Sequence, residues 1–473
     1  MEYKSPRFLY SPLVIILFGV LTFAAFAFSM ELLFYGFVAL FALYVIGFCS
    51  DLAPIMPLFL LCYVTSSPSN NPGRTETGLF NGTSGAIILC LAAVVVIALA
   101  LRITFDEKIG WRQFLEKPRM LLGGMLALGA VYLLSGIGSK GYTEDALRNI
   151  VFALIQFASV FLLYYIFSAT VDWENFDIDY FAWAGLVPGL VVLAELVWFY
   201  LTQDILWGGE IVIRFRIYTG WGNYNNMGAI IASSIPFAFY FAQKKKHNSI
   251  YLILAVVLAF GVVLSCSRSS MVFAVLVALL SYIYTFIRTE NKLEFGITSA
   301  SLLVLLGVLV IVFWDKASLV FREVPSIADM VDGSLTFDSN GRFDMYKRGI
   351  EIFLQNPILG DGFFFRDYKL MGFSTVENFS NFFPGRLHNT IIQMLASCGA
   401  IGLLAYAYHR WQTIRLLVNR WSVEKAYIGV YLFALLGMSL LDCHFFNVGP
   451  TLFYSMALAV LEFAEEQRGV YGS

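Results

Sequence analysis

The feature that most limits what this chain can become is a series of apolar runs, each long enough to cross a membrane. A helix rises about 1.5 Å per residue, so roughly 20 apolar residues span the hydrocarbon core. Such runs lie near 10–29, 31–49, 84–103, 119–138, 148–170, 180–203, 226–243, 250–267, 271–288, 297–314, 390–408, 427–442 and 448–466. A shorter run, 52–64, contains Pro54 and Pro57 and reads as a kinked span or a re-entrant piece. Counting it predicts 14 helices, and merging weak N-terminal runs predicts 12 or 13. Backbone groups in lipid must bond within their own segment, so the expected fold is all-α, a polytopic transmembrane helical bundle. Only 14% of residues are charged, well below the quarter or so typical of soluble domains. The first run follows the basic stretch Met1–Arg7 and shows no small-residue cleavage site near Ser29, so it is expected to stay.

Basic residues in the connections set the orientation. One alternating set holds Lys4, Arg7, the stretch Arg102–Arg119, Lys244 to Lys246, Arg288, Lys292, Arg410, Arg415, Arg420 and Lys425. It is much richer than the other set and is expected to be cytoplasmic, with both termini inside. His247 and His409 then read as part of the cytoplasmic basic stretches. On the other side lies one long connection, 315–389. Loops of that length are usually functional or disordered, and this one is rich in Phe and Leu. Within it, Arg342–Gln355 has the apolar spacing of an amphipathic helix, with Asn340-Gly341 before it and Asn356-Pro357 after it. The chain therefore divides into N-terminal helices (1–203), helices with the first candidate site residues (204–314), a partly helical extracytoplasmic cap (315–389) and three C-terminal helices (390–473).

Several function classes are disfavoured. A net charge of −2 argues against nucleic acid, which calls for a basic patch or stripe. The six cysteines lie in or beside apolar runs without a CxxC pair, so a disulfide framework or zinc site is not expected. No metal and no cofactor is expected. The early outer loops offer only Glu76, Glu144 and Asp145, and the pair at Asp177 and Asp179 falls on the cytoplasmic side.

The candidate chemistry collects on the outer side. Arg268 sits in the very short turn Ser265-Cys266-Ser267-Arg268-Ser269-Ser270 between two apolar runs. A charge so near hydrocarbon usually faces a cavity or partner, the plain alternative being an arginine that snorkels to the headgroups. Arg342 opens the amphipathic helix, where free N–H groups favour an anion. Arg214 and Arg216 alternate with aromatics, as an interfacial belt also would. His388 stands at the outer mouth of the run at 390–408, and His444 follows Asp442 at the outer end of the penultimate run. Imidazole exchanges protons near neutral pH.

Around these residues the region 205–410 resembles the O-antigen ligase and O-antigen polymerase superfamily. Gly220-Trp221-Gly222-Asn223-Tyr224-Asn225-Asn226-Met227-Gly228 is similar to the family's Gly-x-x-Asn-Pro-Asn segment, with Tyr224 in place of proline. Ser265–Ser270 resembles its Ser-Arg-Ser turn, and Pro357-Ile358-Leu359-Gly360-Asp361-Gly362 its Pro-x-x-Gly-x-Gly. Leu387-His388-Asn389-Thr390, followed by Gly399 and Gly402, resembles its His-Asn element and Gly-x-x-Gly helix.

The resemblance implies a membrane glycosyltransferase that moves a glycan from a polyprenyl-diphosphate carrier to an acceptor sugar. It would work outside a bacterial cytoplasmic membrane, as a ligase or as a capsule or O-antigen-type polymerase. It would be metal-independent and inverting. Arg268 and Arg342 would stabilise the diphosphate, and His388 would act as base or orient the acceptor hydroxyl. Arg214, Arg216, Asn223, Asn225, Asn389 and Asp442 are further substrate-binding candidates, with Asp442 also placed to orient His388. The rival class is a secondary transporter of a small anion such as bicarbonate, which would more often show two repeated halves with broken helices. A third is a non-catalytic scaffold for envelope assembly.

Overall fold

The computed structural model describes residues 6–57, 82–105, 119–173, 175–202, 217–219, 222–244, 249–312, 314, 342–364, 386–419, 421–446 and 448–471. The chain is an all-helical, multi-pass bundle. Its longer described helices are α1 (Pro12–Ala27), α2 (Glu31–Phe48), α3 (Gly82–Phe105), α4 (Leu122–Leu134), α5 (Ala146–Thr170), α6 (Ile178–Thr202) and α7 (Tyr224–Lys244). They continue with α8 (Ser249–Leu264), α9 (Arg268–Arg288), α10 (Lys292–Val312), α11 (Arg342–Gln355), α12 (Thr390–Val418), α13 (Val423–Met438) and α14 (Val448–Tyr471). Two two-residue strands, β1 (Tyr218–Thr219) and β2 (Gly222–Asn223), pair antiparallel just before α7. Every apolar run of full length has its helix. The short run at 52–64 has a 3-10 stretch at 53–57, and the rest of it lies outside the described residues.

α7 is the axis of the core. It packs against α6, α8, α9 and α13, and every residue from Asn225 to Ala242 is buried. Small residues let its neighbours come close, as small-residue stripes do between membrane helices. Gly185 and Gly189 of α6 face Phe237 and Ser234, and a Cβ at Gly228 would sit 2.6 Å from Ser265 Oγ. That last contact brings the start of α7 against the serine turn before α9. At the periphery, α3 buries few of its residues and turns exposed leucines and valines outward. Leucine and valine exposed in this way suit lipid tails, not water.

Contacts at the helix ends sort the molecule into two faces. At one end Tyr10 Oη donates to Asp51 Oδ2 (2.8 Å), Arg102 donates to the Ile46 and Cys49 carbonyls that end α2, and Lys244 pairs with Asp179. Glu462 there accepts from Leu121 N (3.0 Å) and from Tyr164. Lys425, almost fully buried, caps the end of α12 through the Leu416 and Asn419 carbonyls. The starts of α7, α9 and α12 and the end of α13 meet at the opposite end.

One helix is broken on purpose. Gly399 has φ +65° and ψ −163° inside α12, so residues 390–398 and 400–418 are separate helical pieces. The segment after α11 fills the break: Asp361 N and Gly362 N donate to the Ala396 and Ser397 carbonyls (2.8 and 3.1 Å). In return Ala400 N donates to the Pro357 carbonyl (2.8 Å). α4 joins the clasp, with Ser135 Oγ donating to Ser397 O (2.7 Å) and Gly136 N to Leu359 O (2.9 Å). A Cβ at Gly399 would overlap the Ile358 carbonyl, and one at Gly360 would overlap the Ser397 backbone. Hence the two glycine motifs, about forty positions apart, are the two halves of one joint. The transmembrane piece 400–418, at about 1.5 Å per residue, is about 28 Å long.

Candidate functional site

The joint fixes α11 over the start of α12, and the start of α12 presents His388. Asn389 caps that helix: its Oδ1 accepts from Ile391 N (2.9 Å) and Ile392 N (3.1 Å), while Nδ2 donates to Leu440 O (3.0 Å). Capping uses an asparagine oxygen for N–H groups that the helix itself cannot satisfy. His388 precedes it with φ +51°, a conformation few non-glycine residues adopt. Neighbours hold it there. Tyr346 of α11 donates to the His388 carbonyl (3.2 Å), and Leu387 N donates to Gln393 Oε1 (2.8 Å).

Opposite the imidazole stands Asp442. Its Oδ1 lies 3.2 Å from His388 Nδ1 and accepts from Cys443 N (2.7 Å); its Oδ2 accepts from Asn225 Nδ2 (3.0 Å). The Asp442 side chain is 5% exposed and the His388 side chain 25%. Burial by itself would raise the Asp442 carboxyl. The His388 hydrogen bond, the charges of His444 and His388 and the Cys443 N–H together outweigh it and hold the group below the usual carboxylate range. An ionised carboxylate only accepts, so His388 Nδ1 carries the proton and Nε2 is left with a lone pair when the ring is neutral.

The network continues to Arg268. Ser267 Oγ donates to Asn225 Oδ1 (3.0 Å) and lies 2.9 Å from Ser270 Oγ. Ser267 is completely buried, and Arg268 follows it as the half-buried first residue of α9. Arg342 opens α11 as expected, and its charge acts on Tyr346 and on the buried His444. His444 is lowered by burial; Asp442 opposes this, and the charges of Arg386, His388 and Arg342 reinforce it. Arg268, Arg342, His388, Asn225, Asn389 and Asp442 thus belong to one end of the bundle. Asn223 lies in β2, paired with Tyr218. Arg214 and Arg216 lie outside the described residues.

Two readings change. His409 and Arg410 are not cytoplasmic surface residues. His409 is fully buried against the Tyr454 hydroxyl (2.7 Å), and the Arg410 guanidinium is caged by Tyr406, Phe445 and Tyr454 at 4.6, 4.7 and 4.7 Å. The break at Gly399 moves the crossing towards the C-terminus and draws both into the bundle. Arg386 was missed altogether. Its signal was a basic residue two positions before the histidine, which nothing in its own surroundings singled out. Among the described residues no three His, Cys, Asp or Glu side chains converge as metal ligands.

Residues 253–407 match the family model described as O-antigen ligase. This segment is similar to the O-antigen ligase family. No curated protein matches the chain. The matched segment makes up about a third of the chain, and over that length the protein is similar to O-antigen ligases. It contains the Ser265–Ser270 turn, Arg342, His388 and both halves of the glycine joint. Asn225 and Asp442 lie outside it, on α7 and after α13. The matched segment therefore receives two members of its polar network from flanking helices.

Proposed function

We propose that the protein transfers a glycan from a polyprenyl-diphosphate carrier to an acceptor sugar, as an O-antigen ligase or a capsule or O-antigen-type polymerase. The acceptor is a glycan or a lipid-linked glycan. The observation that carries this is the 3.2 Å pair of His388 Nδ1 and Asp442 Oδ1 beside two arginine-bearing helix starts. The acceptor hydroxyl attacks the anomeric carbon as its proton passes to His388 Nε2. The glycosyl C–O bond breaks, and its electron pair leaves with the carrier diphosphate. Arg268 and Arg342 bind the phosphate oxygens as the negative charge builds, joined by Arg386. Guanidinium suits this because it stays charged and presents paired donors. Asp442 keeps the imidazole turned and stabilises its protonated form. A single displacement inverts the anomeric centre, and no metal is required by these roles.

The sidedness follows from the basic residues. The face that carries Arg102, Lys244 and Lys425 is read as cytoplasmic, which puts both termini inside and the site on the extracytoplasmic face of a bacterial inner membrane. No observation favours the transporter or scaffold alternatives.

The test is to incubate the purified protein with a polyprenyl-diphosphate oligosaccharide and follow the products. Longer carrier-linked glycans mean polymerase, and transfer to a second acceptor means ligase. His388→Ala and Arg342→Ala are each expected to abolish transfer with membrane insertion intact. Near-normal turnover in either variant removes that residue from the mechanism.

A further inference from the structure

Asn225 has a different place in the network from the one its motif suggested. Its amide is engaged at both ends inside the protein. Nδ2 donates to Asp442 Oδ2 (3.0 Å), and Oδ1 accepts from Ser267 Oγ (3.0 Å). The amide can face only one way, since an ionised carboxylate cannot donate and must meet the NH₂ side. All three residues are buried. They come from three separate elements: the start of α7, the turn before α9 and the connection after α13. The same turn carries Arg268, and the same carboxylate carries His388. Gly228, one turn further along α7, keeps the helix start close to that turn, because a Cβ there would lie 2.6 Å from Ser265 Oγ and 2.7 Å from Ser270 Cβ.

We propose that Asn225 is a positioning residue, not a substrate ligand: it sets the Arg268 turn and the His388–Asp442 pair in register, coupling diphosphate binding to proton removal. This rests on the transferase reading above. Two near-isosteric substitutions cut the link on opposite sides. Asn225→Asp keeps the acceptor for Ser267 but puts a second carboxylate against Asp442. With both carboxylates ionised the pair carries one more negative charge than in the wild type, and that charge favours the protonated imidazole. Ser267→Ala leaves Asn225 on Asp442 and frees only the arginine turn. Other groups act on this pair. They are Cys443 and His444 in its own connection, Arg386 before α12, and Arg342 and Tyr346 of α11. None of these is altered by either substitution.

The experiment measures two quantities in the full-length protein. One is the affinity for polyprenyl diphosphate alone, and the other is the pH profile of kcat/KM with the oligosaccharide donor. Asn225→Asp is expected to move the acid limb of the profile upward by about one pH unit, lower kcat at neutral pH and leave carrier affinity within about twofold. Ser267→Ala is expected to weaken carrier binding about three- to tenfold and leave the acid limb in place. A rescue variant, Asn225→Asp with Asp442→Asn, keeps one carboxylate in the pair and should move the limb back towards wild type. An unshifted limb in Asn225→Asp, or unchanged carrier affinity in Ser267→Ala, overturns the proposal. Wild-type protein that performs no transfer sinks the transferase reading instead. The carrier-binding arm still tests the Ser267 link in that case.

Discussion

Asp442 shows how one side chain changes the chemistry of another. A neutral imidazole can be protonated on either nitrogen, and which one is free decides what it can abstract. The carboxylate, buried and bound by Cys443 N and Asn225 Nδ2, accepts a hydrogen bond from Nδ1–H and leaves the Nε2 lone pair free for the role proposed above. Asp442→Asn keeps the shape but loses the negative charge that stabilises imidazolium. Its kcat is expected to fall about 10²- to 10⁴-fold, with carrier affinity little changed. A turnover within threefold of wild type would show that the pair is merely structural. Asn389 makes the contrasting case. Its motif neighbourhood suggested substrate binding, yet Oδ1 caps α12 and Nδ2 holds the Leu440 carbonyl. In sequence a capping asparagine and a binding asparagine look alike.

Among the elements, the broken α12 decides where the site lies. Apolar spacing alone reads 390–408 as one crossing, because hydropathy does not register a single residue at φ +65°. The carbonyls left free by the break are taken by Asp361 N, Gly362 N and Ser135 Oγ, so the cap and α4 hold the upper piece in place. Gly399→Ala is expected to destabilise the protein by about 1–3 kcal/mol from backbone strain alone. The overlap with the Ile358 carbonyl adds to this. A melting temperature in detergent equal to that of wild type would mean the joint is not a stabilising element. The π-helical stretch Ala158–Leu162 of α5 follows the same logic on a smaller scale. Its Ser159 carbonyl accepts from Ser455 Oγ of α14 (2.7 Å), a partner some 300 residues away that no local pattern announces.

At the scale of the whole molecule the end contacts make the topology testable. Ser50 and Asn175 belong to the end that holds Arg102 and Asp179, whereas Leu440 stands at the site end beside Asn389. In a cysteine-free background, Ser50→Cys and Asn175→Cys are expected to react with a membrane-impermeant thiol reagent only from the cytoplasmic side, and Leu440→Cys only from the other. Labelling of Ser50→Cys and Leu440→Cys from one face would overturn the orientation. The apolar runs by themselves determined that the chain is a multi-pass helical bundle, since a backbone in lipid has no alternative but to bond within each helix. They also determined nearly every helix, and the ordered motifs nominated Arg268, Arg342 and His388, which the fold brings to one end of the bundle. What lay beyond them depended on contacts between segments far apart in the chain. Asn225 meets Asp442 across 217 positions, and a guanidinium counted among cytoplasmic charges sits inside an aromatic cage. Hydropathy and charge are sums along the chain; hydrogen-bond partners, and the depth at which a charge is buried, are set only when helices pack side by side.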